Sequence, residues 1–213
     1  YLEGVLRLTK QYGVFLILDE THSICAGPQG ASRLWGIDAD MLVIGKTIGG
    51  GIPVAAYGMS SEVAVKVEAL MHGHDLDVSG IGGTLSGSAL AGAAIRATLT
   101  HALRQEDFDI AIPLATRWST GVQAIIDQHD LPWTVQQLGC RAEYWFSEHP
   151  QNGAQAAASV NDGLESFMHL YALNRGIILT PFHNMALMTP FHSEDDVDLH
   201  TSVFSDCVRE LVS

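Results

Sequence analysis

Two unbroken apolar runs set what this chain can fold into. Val14–Leu18 (VFLIL) ends in an acid, Asp19, and Met41–Gly45 (MLVIG) ends in a single amine, Lys46. Neither run alternates apolar with polar residues, which is how strands covered on both faces of a parallel sheet read. An amphipathic helix over Tyr1–Tyr12, closed by Gly13, precedes the first run, so helix and strand form half of a βαβ unit. The predicted class is α/β, and two strands deliver one carboxylate and one amine to the same edge of a sheet.

Further elements follow from the same signals. Ala26–Ala31 (AGPQGA) reads as loop, and Ala55–Gly58 as a third strand. Ser61–Met71 reads as a helix capped by Ser60 or Ser61, and His72–Gly87 as a glycine-rich polar segment too long for a passive connector. Helices are predicted from Ser88 and over Phe108–His129. Beyond Pro132 come two strands, Thr134–Leu138 and Arg141–Phe146, then a loop over Glu148–Ser159. A helix capped by Asp162 stops at Gly176, Ile177–Leu179 forms a short strand, and Pro181–Pro190 is irregular. Ser193 caps the last helix. The change of character near residues 128–134 divides a parallel α/β layer, residues 1–130, from a smaller α+β domain, residues 131–213.

Composition narrows the function classes. At 47% hydrophobic and 16% charged residues over 213, the chain buries a substantial core. Its 24 acids against 11 bases, net −13, argue against nucleic acid or an anionic membrane as partner. The scattered, odd set Cys25, Cys140 and Cys207 makes no disulfide framework or CxxC pair, which points to a reducing cytosol. No apolar run is long enough to span a bilayer. The chain opens inside a helix without an initiator Met, as a piece of something longer does.

The chemistry lies at the strand ends. An amine closing an apolar strand before Thr-Ile-Gly-Gly-Gly is partly desolvated and acts as a nucleophile toward aldehydes; a snorkelling surface lysine is the bland alternative. GKT at 45–47 is not a P-loop, because the glycine such a loop needs five positions earlier is Asp40. Asp19 stands where parallel sheets bind ligands, and a protonated pyridine nitrogen would satisfy it; a helix cap or a buried ion pair would also occupy such an acid. Glu20, Thr21, His22 and Ser23 make a dense polar run directly after it. Thr84 and Ser86, among glycines before a helix, suit an anion site or a simple cap. Spacings such as His22/Cys25 and the cluster His72, His74, Asp75 match no structural zinc site, and no GxSxG elbow occurs.

Three stretches, LILDETHS, DMLVIGKTIGGGIPVAAYG and GGTLSGSALAGAA, together with the tail NRGIILTPFHNMALMTPFHSEDDVDLHTSVF, resemble the class III aminotransferases. These are fold-type I pyridoxal-phosphate (PLP) enzymes and include glutamate-1-semialdehyde aminomutase. The resemblance implies that Lys46 forms the Schiff base with the cofactor and shuttles the substrate proton. It implies that Asp19 partners the pyridinium nitrogen and that Thr21 and His22 contact the cofactor; Thr21 stands where the family carries valine. Thr84 resembles the threonine that binds the phosphate of the neighbouring subunit's cofactor, which implies a homodimer with shared sites. Substrates would be a small-molecule amino donor and a carbonyl acceptor, with intramolecular amino transfer, elimination, racemisation or an inactive fragment as alternatives. The family's first phosphate loop and stacking aromatic would lie before Tyr1, so the fragment alone is expected to bind cofactor poorly. Arg141 suits a substrate carboxylate or phosphonate, with an ion pair to Glu143 the favoured reading; His183 and Asn184 fall where the family's small domain approaches the site.

Overall fold

The computed structural model describes residues 1–72 and 81–213, which pack as two units, Tyr1–Arg104 and Gln105–Ser213. Residues 73–80, including His74 and Asp75, and the side chain of His72 lie outside the described residues.

In the first unit, α1 (Leu2–Tyr12) ends on Gly13 in the left-handed region, φ 61°, as a C-terminal glycine should. β1 (Ile17–Asp19) pairs in parallel with β2 (Met41–Ile44), Asp19 opposite Val43. β3 (Ala56–Met59) joins β2 antiparallel, Ile44 opposite Ala56. The connection from Ile44 to Ala56 is too short for the crossover a parallel neighbour needs. The expectation that β1 is buried on both faces fails, since Val14 and Ile17 are each 58% exposed. A three-stranded sheet of order β1-β2-β3 leaves β1 at an edge. The buried residues of this unit other than glycine, Glu20, Cys25, Ala26, Ala31, Ile48 and Val63, cluster instead mostly in the turns that follow the strands. A five-residue helix, α2 (Gly30–Leu34), α3 (Ser61–His72) and α4 (Ala89–His101) complete it.

The second unit is built on α5 (Gln105–Gln128), whose buried stripe Phe108, Ala111, Leu114, Ala115, Trp118, Val122, Ile125 and Ile126 follows helical spacing. Because α5 packs on the sheet that follows it, this unit starts one helix before the boundary read at 128–134. β4 (Thr134–Leu138) and β5 (Arg141–Trp145) form a hairpin closed by Gly139, φ 57°, and Cys140. Along β5, Ala142 and Tyr144 are buried while Arg141, Glu143 and Trp145 are half-buried, the period of two that a sheet imposes. The buried side meets α5 and α8 (Glu194–Leu211): the Tyr144 ring lies 6.1 Å from Trp118 and 5.2 Å from Phe204.

Four sequence expectations change here. Residues 148–159 hold a helix, α6 (Gly153–Ala158), in which an alanine run is started by the Asn152 side chain accepting the Gln155 N–H. α7 (Asp162–Leu173) is capped by Asn161, not Asp162; the extended backbone at 161 aims its side chain at the Leu164 N–H, 3.0 Å away. Ile177–Leu179 is no strand, and Ile178 is 84% exposed. The third strand is β6 (Met185–Leu187), inside the stretch read as irregular, because only there does the chain run beside β5. At α8 Ser193 is the cap, as expected, and the structure adds a capping box: Ser193 accepts from the Asp196 N–H and Asp196 from the Ser193 N–H.

Candidate functional site

The parallel pairing of β1 and β2 puts both C-terminal ends at one edge. The ladder runs one bond past β1, with the Glu20 N–H donating to the Val43 carbonyl at 2.8 Å. Past Gly45 the chain turns into a 3₁₀ turn, Lys46–Gly49, and Lys46 itself has φ 49°. A left-handed non-glycine residue costs about 1–2 kcal/mol, so the fold holds this lysine in place against strain. Lys46 Nζ and His22 Nε2 are hydrogen-bonded.

Asp19 accepts from the Thr21 N–H at 2.9 Å. Hydrogen bonding from Thr21 holds its carboxyl below the ordinary carboxylate range, and the charges of His22 and Lys46 push the same way. Lys46 and Asp19 are both exposed in this chain, where the sequence suggested a partly desolvated amine and a buried carboxylate. Asp19 is kept ionised by its hydrogen bonds and its cationic neighbours.

Glu20, passed over in the sequence as part of a polar run, shapes the loop. It is 1% exposed and takes the Ala31 N–H at 2.8 Å, the Ser32 N–H at 2.6 Å and the Ser23 hydroxyl at 3.0 Å. Burial pushes its carboxyl up, yet the bonds from Ser32, Ala31 and Ser23 outweigh this and leave it below its ordinary value. The signal in the sequence was the small run Gly30-Ala31-Ser32, which lets backbone donors close on a buried acid. Thr21 in turn lies over Gly45, its Oγ1 3.6 Å from where a Cβ would stand, and Thr98 of α4 packs against Gly50. The lysine turn is thus gripped from the Asp19 loop and from α4.

Asp19, Thr21, His22 and Lys46 are therefore brought together, and Thr84 is not brought to them by any contact among the described residues. Thr84 sits exposed on the turn 83–87, while Ser88 caps α4 by accepting the Ala91 N–H. No group of three His, Cys, Asp or Glu side chains suited to a metal occurs among the described residues. In the second unit Arg141 pairs with Glu143 at 2.8 Å, as the favoured reading had it, and the other Glu143 oxygen meets His183 Nδ1 at 3.2 Å. Asn184, buried, faces His169 Nε2 at 3.2 Å.

The profile of the family described as "Aminotransferase class-III" matches residues 1–208. The chain belongs to that family. Glutamate-1-semialdehyde 2,1-aminomutase 2 of Geobacillus kaustophilus is 32% identical over 201 residues, 93% of this chain and 45% of that protein. Its namesake in Exiguobacterium sibiricum is 33% identical over 215 residues, 99% of this chain and 47% of that one. Among solved structures, a glutamate-1-semialdehyde aminomutase from Pseudomonas aeruginosa PAO1, in complex with PMP, is 42% identical with a TM-score of 0.94, over 98% of this chain and 47% of that chain. An omega-transaminase from Sphaerobacter thermophilus, 24% identical with a TM-score of 0.83, shares the fold. The α/β architecture expected of fold-type I enzymes is thus the fold of this chain, which spans about half the length of the relatives it matches.

Proposed function

We propose that the protein spanned in part by this chain is a PLP-dependent enzyme that moves an amino group between an amino acid or amine and a carbonyl acceptor. The observation that carries this is the pair at neighbouring parallel strand ends: an ionised carboxylate, Asp19, and an amine, Lys46, held by its turn at φ 49°. The residues present fit the cofactor's ring and aldehyde ends, since one acid and one amine face the same edge. When bound, the cofactor supplies an aldehyde for an amine and a ring that withdraws electrons from the substrate carbon.

In this reading Asp19 holds the ring nitrogen protonated, and Thr21 orients Asp19 while lying beside the ring. Lys46 would hold the cofactor through its amine, and as a free amine it would take and return the proton at the substrate carbon. Thr84, whose hydroxyl has no partner among the described residues, serves the phosphate of a neighbouring subunit's cofactor, making the enzyme a homodimer. Tyr1–Arg104 then contributes to the cofactor-binding large domain and Gln105–Ser213 forms the small domain. The scattered cysteines favour the cytoplasm as the enzyme's location.

A second reading, intramolecular amino transfer, is favoured by the aminomutase relative at 42% identity. Both readings share Lys46 and Asp19. The full-length protein, incubated with PLP and reduced with borohydride, should carry the label on Lys46; a label on another lysine, or none, defeats the assignment. Turnover without an added keto acid would select the mutase reading, and strict dependence on one the transferase.

A further inference from the structure

We propose that His22 is the proton acceptor and donor for the Lys46 nitrogen when that nitrogen makes or breaks a bond to a carbonyl carbon. The inference rests on Lys46 being the cofactor-bearing amine and adds a partner to it. A lysine ammonium has three donors and no acceptor, so an imidazole nitrogen hydrogen-bonded to it accepts. His22 Nε2 is so bonded to Lys46 Nζ, with the backbone of each residue held: the Glu20 anchor fixes the loop that carries His22, and the 3₁₀ turn fixes Lys46. Asp19, at the end of β1, is a charged neighbour of the pair, and its carboxylate interacts with both residues.

The geometry places one proton between two nitrogens. As the Lys46 amine bonds to an aldehyde carbon, its nitrogen becomes cationic. An N–H bond then breaks, the electrons stay on nitrogen, and the proton moves to Nε2. In the reverse direction Nε2–H returns the proton to the departing amine. Both N–H protons of the amine pass in turn through Nε2 to the carbonyl oxygen, whose bond to carbon breaks as the C=N bond forms. The products are the imine and water, and nothing is oxidised or reduced. A merely positioning residue would need only an acceptor atom; a proton carrier needs an imidazole.

The test uses cofactor-free full-length protein. The rate at which a small aldehyde, glyoxylate with cyanoborohydride, tags Lys46 is measured by peptide mass, with Lys10 and Lys66 as internal references. PLP loading is followed in parallel by absorbance. His22→Ala should slow both reactions at Lys46 by about 10²-fold or more, in keeping with general acid–base contributions of about 10²–10⁴, and leave Lys10 unchanged. Added imidazole should restore the His22→Ala rate in proportion to its concentration. His22→Gln, which keeps an acceptor oxygen, should remain slow. Gln at the wild-type rate, an unaffected Ala variant, or no rescue by imidazole overturns the proposal. If PLP attaches to a lysine other than Lys46, the functional reading fails instead, whereas the glyoxylate rates still report on the His22–Lys46 pair.

Discussion

Glu20 and Gly30 are so close that a single methyl group does not fit between them: a Cβ at position 30 would lie 2.4 Å from Glu20 Oε2. The absence of a side chain there lets a buried carboxylate reach the backbone donors of Ala31 and Ser32, and this fixes the loop carrying Thr21 and His22.

Gly30→Ala should therefore cost more than its backbone conformation alone. Gly30 has φ 69° and Gly36 φ 63°, but a Cβ at Gly36 would meet nothing within 4 Å. Gly36→Ala measures the left-handed penalty, about 1–2 kcal/mol, and Gly30→Ala should add the disturbed Glu20 bonds, about 1–3 kcal/mol. Urea melts of the two variants give the difference; equal losses would show that the Glu20 contact contributes nothing.

The same acid makes the loop sensitive to low pH. Its folded carboxyl lies below the ordinary value of 4.5, so its stabilisation is present above that value and is lost as pH falls through the folded one. Glu20→Gln should lower stability near neutral pH, since one amide oxygen replaces two carboxylate oxygens facing N–H donors. It should also flatten the pH dependence below about 4.5, read from urea midpoints across the acid range.

His200 acts in another pH window. It is buried against Trp118 and Phe204, with ring centroids 5.1 and 6.2 Å away, and its Nδ1 has no hydrogen-bond partner among the described residues. Burial pulls it from 6.5 down to about 4. Between those values the unfolded chain binds a proton that the folded one refuses, so stability falls as pH drops through the window, by about 3 kcal/mol in full. His200→Phe keeps the ring contacts and removes the proton site. Its stability should change little at pH 7 and depend less on pH between about 6.5 and 4, measured by thermal melts.

Asp19→Asn tests the proposed role of the acid separately from that of the lysine. In the full-length protein it should leave Lys46 able to link PLP while lowering turnover by about 10²-fold or more, because a neutral amide no longer holds the ring nitrogen protonated. Turnover near wild type would remove Asp19 from the mechanism.

Local chemistry carried much of this into the sequence. The runs ending at Asp19 and Lys46, the Gly139 turn and the Ser193–Asp196 capping box are written in neighbouring residues. The choice of Asn161 over Asp162 as a cap was not legible, because both types cap equally well and only the backbone angle at 161 decides. Nor was β6, whose residues have ordinary composition and become a strand through register with β5.

By itself the sequence determined which strands end in an acid and an amine, and which family the chain belongs to. Tertiary structure alone decided that Glu20 is the anchor of the loop and that His22, 24 positions away, is the partner of Lys46. Periodicity and caps act within a few residues of the chain. The Glu20 and His22 contacts depend on how the turns after two separate strands fold onto each other, which residue order does not encode locally.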